Sequence, residues 1–164
     1  MKKYYIISML ILFFSLSIDA QNKKEPLIYN PDLDVSIQLD SAIAKAMVEN
    51  KNVLIQIGGN WCSWCLKFHK FVIEDEELSG LIDSNYVYIL MNIDRKHKQH
   101  EMMGRLRFPN RFGFPVFVIL NNEGEYLHTQ NSALLEKGKS YDRKKVKNFL
   151  MNWTVKALSP ESYK

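Results

Sequence analysis

The chain has 164 residues, 46% of them hydrophobic and 24% charged, with a formal net charge of +4. That length suits one domain with a real core, and the composition excludes a disordered chain. Two cysteines exclude a disulfide-stapled miniprotein, and 22 basic residues against 18 acidic ones, spread along the chain, make no nucleic-acid stripe.

Lys2-Lys3 followed by an apolar run over 4–18 and a small residue, Ala20, has the layout of a secretory signal peptide. The run is short of the roughly 20 residues that a membrane span needs. Cleavage after Ala20 and export, to the periplasm, are therefore expected, with no stable membrane span left afterwards; the alternative is an uncleaved N-terminal anchor. Export places both cysteines where disulfides form and persist.

Residues 21–39, with Pro26 and Pro31, read as an extended lead-in to a folded domain over 40–158, and 159–164 as a tail. Asp40 is placed to cap a helix with Ile43, Ala46 and Met47 on its apolar side, ending near Asn50. Residues 53–57 form a short β-branched run closed by Gly58-Gly59, which predicts a buried strand. A helix follows from Cys62 to Val72, with a polar break at Glu74-Asp75-Glu76 and a further turn to Asp83. The aromatic and branched run 86–93 predicts the next strand, and 96–106 a polar helix. A loop over 108–115 leads to a strand at 116–120, and Asn121-Asn122-Glu123-Gly124 turns it into a partner strand at 125–129. A final amphipathic helix is expected over 141–158, with Val146, Phe149, Leu150 and Trp153 on one side. Helical crossovers between the first strands and a hairpin at the end predict an α/β fold. Its mixed sheet is flanked by helices and closed by an antiparallel hairpin and a C-terminal helix.

The strongest chemical signal is Gly59-Asn60-Trp61-Cys62-Ser63-Trp64-Cys65, directly after a strand and opening a helix. Amide N–H groups and the positive dipole end at a helix start stabilise a thiolate on the first cysteine. The second, one turn later, can attack a mixed disulfide and release the product. This spacing makes Cys62 the attacking sulfur and Cys65 the resolving one. Three plainer readings stand beside it. A structural bridge over so short a loop contributes only about 2 kcal/mol. Half a zinc site would need the histidines to complete it. Two thiols could also pair by chance.

The strand before Trp-Cys-x-x-Cys, the strand end Met91-Asn92-Ile93-Asp94 and the run Gly113-Phe114-Pro115-Val116-Phe117-Val118 together resemble thioredoxin, over roughly 40–158. Within that superfamily the chain is most similar to exported bacterial thioredoxin-like proteins. The resemblance implies a thioredoxin-like fold and a cis Pro115 beside the cysteines, turning the backbone of Phe114 outward for a client strand. It implies that Trp61 covers the sulfur pair. Trp64 stands where small residues are common and would narrow access or contact a client. The sequence departs from thioredoxin at Gln56, the position of a buried aspartate, and at Leu90, the position of its lysine partner. Glutamine hydrogen-bonds but takes up no proton at working pH.

His69 lies one helical turn after Cys65, and reads as a packed or surface histidine rather than a redox group. His97 and His100, beside Arg95-Lys96, read as a solvated face, and Met102-Met103 as helix packing. The favoured function is an exported thiol–disulfide oxidoreductase with Cys62 and Cys65 catalytic and Trp61, Trp64, Phe114 and Pro115 contacting the client. It calls for no cofactor and no metal ligand. Its partners are proteins or peptides carrying cysteines or disulfides and an electron-transfer partner, not nucleic acid. The alternatives are a thioredoxin-fold binding module with an idle disulfide and a soft-metal carrier.

Overall fold

The computed structural model describes residues 27–93 and 99–164. The leader expected over 1–20 and the segment containing Asp94, Arg95, Lys96 and His97 lie outside the described residues. The elements run α1 (Val35–Glu49), β1 (Asn52–Gly58), α2 (Ser63–Glu74), α3 (Glu76–Asn85), β2 (Tyr86–Asn92) and α4 (His100–Arg105). After a 3-10 turn (Pro109–Phe112) come β3 (Val116–Leu120) and β4 (Tyr126–Asn131), then a small hairpin of β5 (Glu136–Lys137) and β6 (Ser140–Tyr141). The chain closes with α5 (Arg143–Asn152), α6 (Val155–Leu158) and a last 3-10 turn (Pro160–Tyr163).

The main sheet has the order β2-β1-β3-β4, with β1 parallel to β2 and antiparallel to β3, and β3 antiparallel to β4. This is the mixed α/β sheet with a closing antiparallel hairpin that the element order predicts. Every residue of β1 is buried, because helices cover both faces. Alternation sorts its side chains. Val53, Ile55 and Ile57 pack with Leu39, Ala42 and Ala46 of α1 and with Met102 and Met103 of α4. Leu54 instead joins the core built by Phe68 and Val72 of α2, Leu78 of α3 and Val146, Phe149 and Leu150 of α5. The same alternation turns Gln56, which pairs with Leu90 on β2 and Phe117 on β3, towards the α2 side.

Three boundaries differ from the sequence reading. The first helix starts at Val35, because Asp34 accepts hydrogen bonds from the amides of Ser36 and Ile37. Asp40 lies within that helix and faces solvent, paired with Arg105 at 2.8 Å, and Met47 is exposed rather than packed. The C-terminal helix is broken at Trp153–Thr154. The carbonyls of Leu150 and Trp153 accept from the Tyr86 hydroxyl and Asn52 Nδ2, and Thr154 caps the short helix that follows. Beyond them, 160–163 form a 3-10 turn where a plain tail was expected. The small hairpin at 136–141 was not foreseen, for two-residue strands carry no periodic signal.

Candidate functional site

β1 ends under the N-terminus of α2, and two glycines make the junction possible. A Cβ on Gly58 would lie 2.4 Å from Cys65 Sγ, and one on Gly59 would lie 2.4 Å from Trp61 Nε1. Cys62 occupies the N-cap of α2, its Sγ accepting from the Cys65 amide at 3.2 Å. The two cysteines are joined in a disulfide, with Cα atoms 5.2 Å apart. Cys62 is 7% exposed and Cys65 fully buried, so a macromolecule can reach only the first sulfur.

The other residues singled out in the sequence gather round this pair to different degrees. Phe114, half-buried, packs against the cysteines and meets Trp61 edge to face, with ring centroids 5.4 Å apart. Trp61 donates from Nε1 to the Ile93 carbonyl at 3.0 Å and is 39% exposed. The Phe114–Pro115 peptide bond is cis, and Pro115 is buried at the entrance to β3. Trp64 sits on the far side, edge-on to Tyr141 at 5.4 Å, with the Lys67 ammonium 4.4 Å above its ring. It flanks the pair and leans towards β6.

Beneath the disulfide the departure at Gln56 has a structural consequence. Gln56 Nε2 donates to the Cys65 carbonyl at 2.9 Å and to the Tyr29 hydroxyl, while Oε1 accepts from the Tyr88 hydroxyl. Both Nε2 hydrogens and Oε1 of this amide have partners. Leu90 fills the lysine position with apolar packing against the cysteine cluster. Burial holds both tyrosine hydroxyls well above their ordinary pKa, so both stay neutral.

Tyr29 and Tyr88 are the residues that sequence reasoning missed. Tyr29 falls in the stretch read as an extended lead-in, yet it is fully buried against the cysteines. Asn60, two residues before the Cys-x-x-Cys motif, holds it. Its Oδ1 accepts from the Tyr29 amide at 3.1 Å, and its Nδ2 donates to the Tyr29 carbonyl at 2.6 Å. The apolar triplet Leu27-Ile28-Tyr29 in a polar stretch was the available signal.

His69 stacks on Tyr88, with centroids 6.1 Å apart, and its buried Nδ1 has no hydrogen-bond partner among the described residues. Desolvation lowers its pKa below the ordinary histidine value of 6.5. An unfolded chain then binds this proton more readily than the folded one, so stability falls as pH drops from about 6.5 towards the lowered folded value. His69→Gln is expected to flatten that part of the melting-temperature profile between pH 7 and about 5. Parallel slopes for wild type and variant would show that His69 charges freely in the fold. Met102 and Met103 are buried in the core, and no three His, Cys, Asp or Glu side chains converge among the described residues to hold a metal ion.

A family model described as thioredoxin-like matches residues 34–122, which include the cysteine pair and Pro115. Among curated proteins, the thiol:disulfide interchange protein DsbD of Vibrio cholerae is 25% identical over 88 residues, 54% of this chain and 14% of that protein. Spermatogenesis-associated protein 20 of Mus musculus is 28% identical over 81 residues, 47% of this chain and 10% of the other. The chain thus spans less than a sixth of the length of either relative. Among solved structures, a disulphide isomerase from Xylella fastidiosa superposes with a TM-score of 0.69 at 20% identity, covering 77% of this chain and 96% of that one. A thioredoxin from Thermus thermophilus gives 0.51 at 20% identity, covering 73% and 85%. These likenesses establish the fold.

Proposed function

This chain belongs to the thioredoxin-like family, and from that premise we propose that it is an exported thiol–disulfide oxidoreductase that exchanges disulfides with client proteins through Cys62 and Cys65. The observation that carries the proposal is the asymmetry of the pair. Cys62 caps a helix and keeps a small exposed area, and Cys65 lies fully buried one turn behind it. In the reduced protein the Cys62 thiolate, favoured by the helix start, attacks a client disulfide and forms a mixed disulfide while one client thiol leaves. The Cys65 thiolate then attacks Cys62 Sγ, closing the internal disulfide and releasing the second client thiol. The reverse sequence passes a disulfide to a client.

Trp61 and Phe114 give the client an aromatic rim beside Cys62, and the backbone preceding Pro115 is where an extended client segment pairs. Trp64 contacts the client from the opposite side. An electron-transfer partner of the same disulfide chemistry returns the pair to its working state. Export rests on the charged and apolar leader pattern over 1–20.

A binding module with an idle disulfide is the second reading, favoured by Gln56 standing where an acid would assist the resolving thiol. Cys65→Ala separates the two. Without the resolving sulfur, clients held on Cys62 have no internal route of release, and Cys62-dependent adducts are expected on a non-reducing gel from the exporting cell. A gel without such adducts would favour the binding module.

A further inference from the structure

Gln56 fixes the direction of every proton in the network beneath the disulfide. The Cys65 carbonyl can only accept, so the amide must present Nε2 to it, at 2.9 Å. Oε1 therefore faces β2, where the Tyr88 hydroxyl must donate. The second Nε2 hydrogen goes to the Tyr29 oxygen, so Tyr29 accepts from Gln56 and keeps its own proton to give elsewhere. Above Gly58 that hydroxyl shares its space with the resolving sulfur: a Cβ there would lie 2.4 Å from Cys65 Sγ and 3.0 Å from the Tyr29 oxygen. Both groups belong to one buried cluster with Cys62.

We propose that Tyr29 is a catalytic residue of the disulfide exchange, its hydroxyl donating a hydrogen bond to Sγ of Cys65 and stabilising the resolving thiolate. The proposal deepens the oxidoreductase reading and rests on it. Titratable groups around Cys65 are Cys62 and His69 on its own helix, Tyr29 from the N-terminal segment, Tyr88 from β2 behind Gln56, and Tyr141 from β6, whose hydroxyl donates to the Trp64 carbonyl. Leu90 and Phe114 add apolar lining. Within this set Tyr29 is the neutral hydroxyl that accepts from Gln56, lies beside Gly58 with the sulfur, and has its own proton still to give.

In the resolving step the Cys65 thiol gives its proton to water and its thiolate attacks Cys62 Sγ. The Cys62–Cys65 bond forms, the Cys62–client bond breaks, and the client thiolate takes a proton from water. Over the two steps together, the cysteine pair is oxidised by two electrons and the client disulfide reduced by two. Tyr29 keeps its proton throughout and lowers the cost of the charge on Cys65, so a buried sulfur can ionise without a neighbouring carboxylate.

The test is Tyr29→Phe, which keeps the ring and removes the hydroxyl. In the full chain carrying Cys62→Ala, thiolate absorbance should place the Cys65 pKa about one to two units higher in the Phe variant. With both cysteines present, release of a client from the mixed disulfide should slow roughly 3- to 15-fold near neutral pH. Above both thiol pKa values the order should reverse, because the less stabilised thiolate is the better nucleophile. Lost packing alone moves neither the pKa nor the crossover. An unchanged Cys65 pKa in a folded variant overturns the proposal. If Tyr29→Phe does not fold, wild type labelled at tyrosine Cζ decides instead. The Tyr29 resonance should follow the Cys65 titration, and a flat signal would refute the hydrogen bond. The titrations need no client, so they can fail while Cys65→Ala still traps clients, and the reverse.

Discussion

Cys62→Ser should abolish the reduction of insulin disulfides with dithiothreitol as electron donor, leaving only the uncatalysed background. A serine hydroxyl cannot form the mixed disulfide, and Cys65 is fully buried behind the helix N-terminus, out of a client's reach. The substitution keeps the size and position of the N-cap and leaves the surrounding hydrogen bonds of Asn60 and Trp61 intact. The loss therefore reports chemistry rather than unfolding, and an unchanged circular dichroism spectrum checks this. Turnover above background in the folded variant would mean that the exchange does not begin at Cys62.

Gln56→Glu should cost about 2 to 4 kcal/mol of stability at neutral pH. The ionised carboxylate would set an oxygen against the Cys65 carbonyl and lose the donation to Tyr29, in a layer where Leu90 supplies no cation. Burial raises the folded pKa of the new acid above its unfolded value of about 4.3. The sign follows from that rise: the penalty is absent below about pH 4.3 and grows as pH rises through the folded pKa. Protonated, the glutamate can still donate to the Cys65 carbonyl and accept from Tyr88, which limits the acid-side loss. A raised acid is also a usable base, so resolution through Cys65 should quicken near neutral pH in the molecules that remain folded. Melting series from pH 4 to 8 with stopped-flow reduction measure both. A pH-independent stability difference would show that this carboxylate ionises without hindrance.

Elements with a strong period were legible in the chain. The β-branched run of β1, the hairpin turn at Asn121-Asn122-Glu123-Gly124 and the N-terminal start of α2 at the cysteines all follow from local chemistry. Alternation along β1 was enough to know that Gln56 and Leu54 share a face. Boundaries set by competition were harder to read. Asp34 and Asp40 are both competent caps, and burial of Leu39 against the sheet favours the earlier one. The end of α5 was hidden because the groups that take its carbonyls, Asn52 and Tyr86, lie more than sixty residues away.

The sequence by itself determined the order of elements and the two sulfurs with their spacing at a helix start, while its resemblance to thioredoxin marked Gln56 and Leu90 as departures. These depend on residue type and separations of a few positions, which the chain displays directly. Only the tertiary structure decided what occupies the space beneath Cys65. Tyr29 arrives there from a segment with no periodic signal, held by Asn60 across thirty-one residues, and Tyr88 arrives from the parallel neighbour of β1. Hydrogen bonds between groups so far apart in sequence leave no pattern in it. They exist because the folded core removes water, and each buried donor and acceptor must then find its partner in the protein.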